Sequence, residues 1–496
     1  MTSLRSRSVP PRAPAMLEAL RGLGYSPATA LADIIDNSIA AGARTVDVTF
    51  HWNGPDSHVS ILDDGCGMTD AGLERAMRLG ERNPLDERAG SDLGRFGLGL
   101  KTASFSQARR LTVASRSDDT LSCLRWDLDV LAASPDGDWR LLEGPAEGSA
   151  HLLECLTGRG TLVLWEHMDR VVTPGFSEQD FLDLIDAVEL HLAMVFHRFL
   201  EGSVPRLRLA LNGRAVRPWD PFLRNHPATW TSPEVRFMAE GGAITIQGHV
   251  LPHKDRLDPR DHELAGGPDG WIAQQGFYVY RNQRLLVAGS WLGLGHGRAW
   301  TKEEAHRLAR VRLDIPNSAD ADWKIDIRKS RARPPVSART HLMHLAEDVR
   351  ARARRVFAHR GQVVRTGGAH PIAEAWRAEH SSGGMRYRLD ESHPAIRAVL
   401  DEAGVLLPQV RAMLRVIEET VPVRRIWLDT TEGRETPRTS FEGEAPAEVE
   451  TVLRVMFRNM VQRKGMSPAL AREHLLHTEP FHKYPGLVAA LVKGDD

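Results

Sequence analysis

The sequence predicts an α+β protein of about three domains, an expectation carried by three observations. A chain of 496 residues exceeds what one core organises, and at ~150 residues per domain it divides into about three. Apolar residues alternate with period two in stretches such as "TVDVTF" (45–50), and these stretches stand between segments of helical periodicity. Helix and strand intermix as far as about residue 335, whereas "HPAIRAVLDEAG", "LLPQVRAMLRVIEETVP" and "AEVETVLRVMFRNMVQRKG" make 370–496 read as mostly helical. The expected domains are 1–202, 203–362 and 363–496.

Composition narrows the function classes. A charged fraction of 26% and a hydrophobic fraction of 42% describe an ordinary soluble protein, and the formal net charge of −1 gives no global attraction to nucleic acid or membranes. Three scattered cysteines, Cys66, Cys123 and Cys155, argue against a disulfide framework or a zinc site and for a reducing compartment. The basic start "MTSLRSRSVPPRAPAM" is followed by no apolar signal region, and no run of ~18 apolar residues occurs, so the expected location is cytoplasmic, with no membrane partner. Only eight of the 64 basic residues are lysine, which singles out any lysine inside a motif as chosen for its compact ammonium.

Each element follows in order. Residues 14–24 read as a short helix; Ser26 is an N-cap, Pro27 suits the first helical position, and Gly42 ends the second helix. On that helix Asp33, Asp36 and Asn37 stand at i, i+3 and i+4, a polar stripe on one face, while Leu31, Ile34, Ile35 and Ile39 can cover a sheet. Strands at 45–50 and 58–62 lead into "DDGCGM", where Gly65 and Gly67 permit a tight turn and a close backbone approach. A helix over 70–79 precedes an aperiodic polar stretch of the kind that forms a lid, and then "GRFGLGLKTASF" places Gly94, Gly97 and Gly99 ahead of a helical segment. Such a loop offers backbone N–H groups to a phosphate. Strands "RLTVASR", "LSCLRWD" and "GTLVLWE" follow, and a helix over 178–200 closes the first region. The second region is read from strands "RLRLAL", "AITIQGHVL", "GFYVYRNQRLL", "VRLDIP" and "WKIDIRKS", feeding an arginine-rich helix over 337–360.

Taken in this order, a helix with carboxylate and asparagine, then strand-D-x-G-x-G, a lid, G-x-x-G-x-G and a strand opened by "GT", the motifs resemble the Bergerat-fold (GHKL) ATPases, which include gyrase B subunits, heat-shock 90 chaperones, histidine kinases, MutL and MORC proteins. The resemblance implies a heat-shock 90-like ATPase sandwich, a ribosomal-S5-like transducer domain and a helical tail. It implies ATP and Mg²⁺ as cofactors, with Asn37 as the Mg²⁺ ligand, a role that suits a neutral oxygen. Asp33 falls where the family places its general base, usually a glutamate, and Asp36 is the fallback. Asp63 matches the adenine-recognising carboxylate and Asp64 a variable slot, while Gly65, Gly67 and Met68 line the base. Gly94, Gly97, Leu98 and Gly99 match the phosphate-wrapping loop, Lys101 stands close to the phosphates, and Thr161 lies near the adenine. Lys329 is the expected γ-phosphate sensor of the second domain, with Lys324 as the alternative.

Within the superfamily the second region and the lid are most similar to prokaryotic MORC/MutL-like ATPases associated with restriction-modification and phage-defence loci. That resemblance implies a slowly hydrolysing, nucleotide-gated homodimer that clamps double-stranded DNA through the basic segment 328–360 (Arg328, Lys329, Arg331, Arg333, Arg339, Arg350, Arg352, Arg354, Arg355 and Arg360), with a helicase, nuclease or methyltransferase encoded nearby. The alternatives are an ATP-regulated chaperone or scaffold for a protein partner, and a topoisomerase B-like subunit.

Overall fold

The computed structural model describes residues 11–22, 24–81, 99–118, 120–134, 138–239, 242–319, 322–325, 332–358, 373–381, 384–423, 426, 447–463 and 465–491. Residues 1–361 form one compact unit and 362–496 another.

The first unit opens with α1 (Ala13–Arg21) and α2 (Pro27–Ala40), followed by β1 (Thr45–His51) and β2 (His58–Asp63). Then come α3 (Asp70–Met77), α4 (Gly99–Phe105), β3 (Arg110–Ser117), β4 (Thr120–Asp127), α5 (Leu128–Ala132), β5 (Leu142–Glu143), β6 (Gly160–Glu166), α6 (Glu178–Val195) and α7 (His197–Leu200). Together with β7 (Arg208–Leu211) and β8 (Arg214–Ala215), the strands build one sheet in the order β5-β4-β3-β6-β2-β1-β7-β8. Period-two alternation turns Val46, Val48 and Phe50 of β1 into the core beneath α2 and α6.

Two sequence expectations change here. The stretch "RLRLAL" was expected to open the second region, but β7 pairs in parallel with β1, Thr45 opposite Arg208 through Val48 opposite Leu211. Leu209 and Leu211 alternate into the first core, and that burial decides sheet membership. The helix expected over 178–200 is interrupted at Phe196, which is wholly buried and separates α6 from α7.

The second sheet contains β9 (Trp230–Thr231), β10 (Val235–Ala239), β11 (Gly242–Val250), β12 (Gly276–Arg281), β13 (Arg284–Ser290) and β14 (Ala309–Ile315), ordered β10-β11-β14-β12-β13 with β9 on β11. Helices α8 (Pro259–Gly266) and α9 (Gly270–Ala273) intervene, and α10 (Val336–Ala358) covers the sheet through Leu342, Ala346 and Val349. The stretch "YVYRNQRLL" forms the β12–β13 hairpin, with Asn282 and Gln283 both at positive φ as a two-residue turn matched to strand twist requires. The strand expected at "WKIDIRKS" is not formed in its described part: residues 322–324 make a turn, with Lys324 at φ 47° and Trp323 wholly buried beneath it.

The second unit carries an antiparallel hairpin, β15 (Trp376–Ser381) and β16 (Gly384–Leu389), that the mostly helical reading missed. Its core gathers Leu453, Met456 and Phe457 with Ala471, Leu475, Phe481 and Val488.

Candidate nucleotide site

The site is built around α2. Ser26 and Thr29 form a reciprocal capping box at its start, with Pro27 at the first position, so the helix begins where the sequence places it. The three polar residues of its stripe then meet different fates. Asp33 is buried, and its Oδ2 accepts a hydrogen bond from the Tyr25 hydroxyl at 3.0 Å. The same oxygen lies 3.8 Å from where a Cβ would stand on Gly99, so the carboxylate faces the point at which the glycine loop enters α4. Asn37 is exposed, with its amide offered to solvent. Asp36 is buried and accepts from Nε of Arg284, at 3.2 Å to each oxygen. Both Asp36 oxygens are thus committed to a guanidinium, whereas Asp33 faces Gly99.

The other end of the site is centred on Asp63, the last residue of β2. Its Oδ1 accepts from the amides of Gly65 (2.9 Å) and Thr161 (3.2 Å), and its Oδ2 from the Ser38 hydroxyl of α2 (2.8 Å). Burial pushes its pKa above the usual carboxylate range, outweighing the hydrogen bonds from Ser38, Gly65 and Thr161. Asp64 does different work: its Oδ1 accepts from the Arg44 and Thr45 amides and ties the turn to the start of β1.

Glycine is required on both sides of Asp63. At Gly67, φ is +63° and a Cβ would stand 2.0 Å from the carbonyl oxygen of Arg116; at Gly160, φ is +149° and a Cβ would stand 1.9 Å from the carbonyl oxygen of Asp63. Gly65 is constrained by space, a Cβ there lying 2.9 Å from that of Ala41. Ser115, which the motif reading did not single out, ties these parts together. Its hydroxyl accepts from the Met68 amide (2.8 Å), lies 3.1 Å from the Gly160 carbonyl and 2.9 Å from the Thr161 hydroxyl.

Lys101 is placed differently from expectation. It is buried, and its Nζ donates to the carbonyls of Ala76 (2.8 Å) and Arg78 (3.0 Å), the terminal carbonyls of α3. Burial lowers its pKa to about 8, only partly opposed by Glu81. In this arrangement the ammonium caps the C-terminal end of α3. Lys324 is exposed in its turn. Gly94, Gly97, Leu98 and Lys329 lie outside the described residues.

Tyr25, Ser38, Ser115 and Arg284 are the participants that sequence reasoning passed over, whereas Gly160 stood in the "GT" that opens β6. Ser38 carried a signal, a small hydroxyl on the sheet-facing side of an apolar helix; the partner of Arg284 lies 248 residues away and left none. Among the described residues one trio offers metal-ligand chemistry, His197, Glu201 and Asp220. Arg224 donates to Glu201 (2.6 Å) and to Asp220 (3.1 Å), so a guanidinium already meets the demand for positive charge there. No described helix is long and apolar enough to cross a membrane.

The helix α2 thus joins the buried carboxylate of Asp33, opposite Gly99, to the hydrogen-bonded carboxylate of Asp63 through Ser38. Residues 25–155 match the family described as histidine kinase-, DNA gyrase B- and HSP90-like ATPases, and this region is a GHKL, Bergerat-type ATPase domain. The chain is similar to DNA mismatch repair protein MutL of Halobacterium salinarum, 35% identical over 92 residues (18% of this chain, 14% of that protein), and to MutL of Sphingopyxis alaskensis, 31% over 146 residues (29% and 21%). It is also similar to ATPase morc-1 of Caenorhabditis elegans, 28% identical over 98 residues (20% and 11%). The matched region thus spans between about a tenth and a fifth of each of these relatives.

Proposed function

We propose that the chain is a Mg²⁺-dependent ATPase that hydrolyses ATP slowly and uses the nucleotide to gate a homodimeric clamp on DNA in the cytoplasm. The observation that carries this reading is that α2 holds both ends of the site. Ser38 binds the base-recognising Asp63, and Asp33 faces Gly99. Five residues of helix separate them by about 7.5 Å, which leaves room between the two ends for the sugar and inner phosphates.

In this mechanism the Asp63 carboxylate accepts the exocyclic amine of adenine, with the Gly65 and Thr161 amides holding it in place. Thr161 and Met68 are held through Ser115 beside it. Asp33, oriented by Tyr25, positions a water and takes its proton as the water attacks the terminal phosphorus. Aspartate is one methylene shorter than the family's glutamate, which favours slow turnover. The Asn37 amide fits a Mg²⁺ ligand, being exposed beside Asp33 and neutral; when bound, that ion neutralises phosphate charge. Phosphate contacts of the glycine loop with Gly97 and Leu98, and of Lys329 as γ-phosphate sensor, belong to the same proposal. Lys101 joins them only after leaving the carbonyls of α3, a motion that lid closure supplies.

Of the basic segment expected to meet DNA, Arg328, Lys329, Arg331 and Arg360 lie outside the described residues. Arg350 is buried between Trp291 and Trp300, its guanidinium carbon 4.6 and 4.8 Å from the ring centres, and Arg352 pairs with Asp348. Arg333, Arg339, Arg354 and Arg355 are exposed and remain suited to phosphate contacts, which are independent of base sequence. The similarity to DNA mismatch repair protein MutL and to ATPase morc-1 supports an ATP-driven role on DNA; phage defence or DNA restriction and repair, alongside a nearby-encoded helicase, nuclease or methyltransferase, belongs to the same proposal through the motif resemblance alone.

The test is light scattering after size exclusion, with ATP, a non-hydrolysable analogue or ADP, each with and without duplex DNA at low and high salt. The expected result is a dimer with the analogue, a monomer with ADP, and DNA retention that falls steeply as salt rises. A mass indifferent to nucleotide contradicts the gate. Nucleotide-gated dimers that ignore DNA turn the reading to a scaffold for a protein partner.

A further inference from the structure

The pairing of Asp36 with Arg284 is not explained by nucleotide chemistry. Asp36 stands on α2 one turn after Asp33 and immediately before Asn37, so a rotation of the helix about its axis moves all three together. Both members of the pair are buried, and Arg284 is the first residue of β13 in the second sheet. The arginine is itself fixed: Nη1 donates to the carbonyl of Leu285, and its guanidinium carbon lies 5.6 Å from the ring centre of Phe196, where α6 gives way to α7. Nearby on α6, His191 is held neutral, its pKa lowered to about 4 first by burial and then by the charge of Arg284, so it brings no second cation to Asp36. Tyr25 and Ser38 tie α2 within the first domain; Arg284 ties it to the second sheet. Desolvation offsets most of the attraction in a buried ion pair, so stability alone is a poor reason for one, whereas a geometric role is a sufficient reason.

We infer that Arg284 is a positioning residue for hydrolysis: by holding Asp36 it fixes the azimuth of α2, so that Asp33 and Asn37 meet the nucleotide in register only while β13 is seated against the helix. The inference rests on the ATPase reading above.

Three variants of the full chain test it: Arg284→Met, Arg284→Lys, and the double variant Asp36→Leu with Arg284→Met. Turnover, affinity for a non-hydrolysable ATP analogue and thermal unfolding are measured for each. In Arg284→Met, turnover falls by about 10- to 100-fold, the scale of a small misplacement, while the analogue binds within about threefold of wild type. Arg284→Lys restores part of the turnover, because an ammonium supplies the charge without the planar fork. The double variant replaces the ion pair by an apolar contact and regains the melting temperature but not the turnover. A double variant turning over at the wild-type rate overturns the inference, as does an analogue affinity that falls in step with turnover. A wild-type protein that neither binds nor hydrolyses ATP removes the ATPase reading and the inference with it, an outcome distinct from either of those.

Discussion

Replacing Asp33 by asparagine leaves ATP bound and its hydrolysis stopped, with turnover reduced by ~10²- to 10⁴-fold, the range for loss of a general base. The substitution keeps an oxygen for the Tyr25 hydroxyl, which bonds Asp33 Oδ2 at 3.0 Å, so the local fold persists while proton acceptance is lost. Because Asp63 and its three hydrogen-bond partners Ser38, Gly65 and Thr161 are untouched, affinity for the nucleotide changes little. A phosphate-release assay beside an equilibrium binding measurement separates the two. Equal loss of binding and turnover would show that Asp33 holds the site together instead of performing its chemistry. Asp36 is no substitute, since its carboxylate is committed to Arg284.

The second large effect is structural. Gly67→Ala puts a methyl group 2.0 Å from the carbonyl oxygen of Arg116, at a residue whose φ is +63°. The obstacle is backbone at the end of β3, so no side chain can turn aside to relieve it. The left-handed conformation and the overlap together destabilise the protein on the order of 3 kcal/mol or more. A chemical denaturation curve reads this directly, and the variant is expected to lose nucleotide binding as well, because the turn carries Met68 onto Ser115. A variant as stable as wild type would show that the turn has another accessible conformation. Gly80, also at positive φ but with open space around it, is the control and tolerates alanine with only the conformational cost.

What the sequence revealed and what it withheld divide along physical lines. Helical spacing fixes which residues share a face, so Asp33, Asp36 and Asn37 were legible as one stripe, and Gly67 of "DDGCGM" was legible because a positive φ has few other occupants. Alternation located β1, β2, β3 and β6 to within a residue or two. Partners distant in sequence were not legible. Nothing local to Arg284 points to a carboxylate on α2, and nothing in "RLRLAL" says whether its leucines fill the first core or the second. Lys101 was read from its neighbourhood in the motif, whereas its position is set by the carbonyls at the end of α3, a tertiary contact. Asp63 was legible as the carboxylate that closes the strand before the glycine turn, but the hydroxyl of Ser115 behind Thr161 comes from a strand whose register no local pattern specifies.

The most direct measurement is a calorimetric titration with non-hydrolysable analogues of ATP and GTP, run across a pH series. A carboxylate at Asp63 accepts the adenine amine but meets the carbonyl of guanine with repulsion, so ATP binds at least about tenfold more tightly, as expected for a lost charge-assisted hydrogen bond. The bond requires the ionised carboxylate, and burial raises the Asp63 pKa. ATP affinity therefore weakens as pH falls through that raised value and is fully developed above it. Tight, pH-dependent preference for the ATP analogue is the predicted result. Equal binding of the two analogues, or binding of neither, would contradict the assignment of this site.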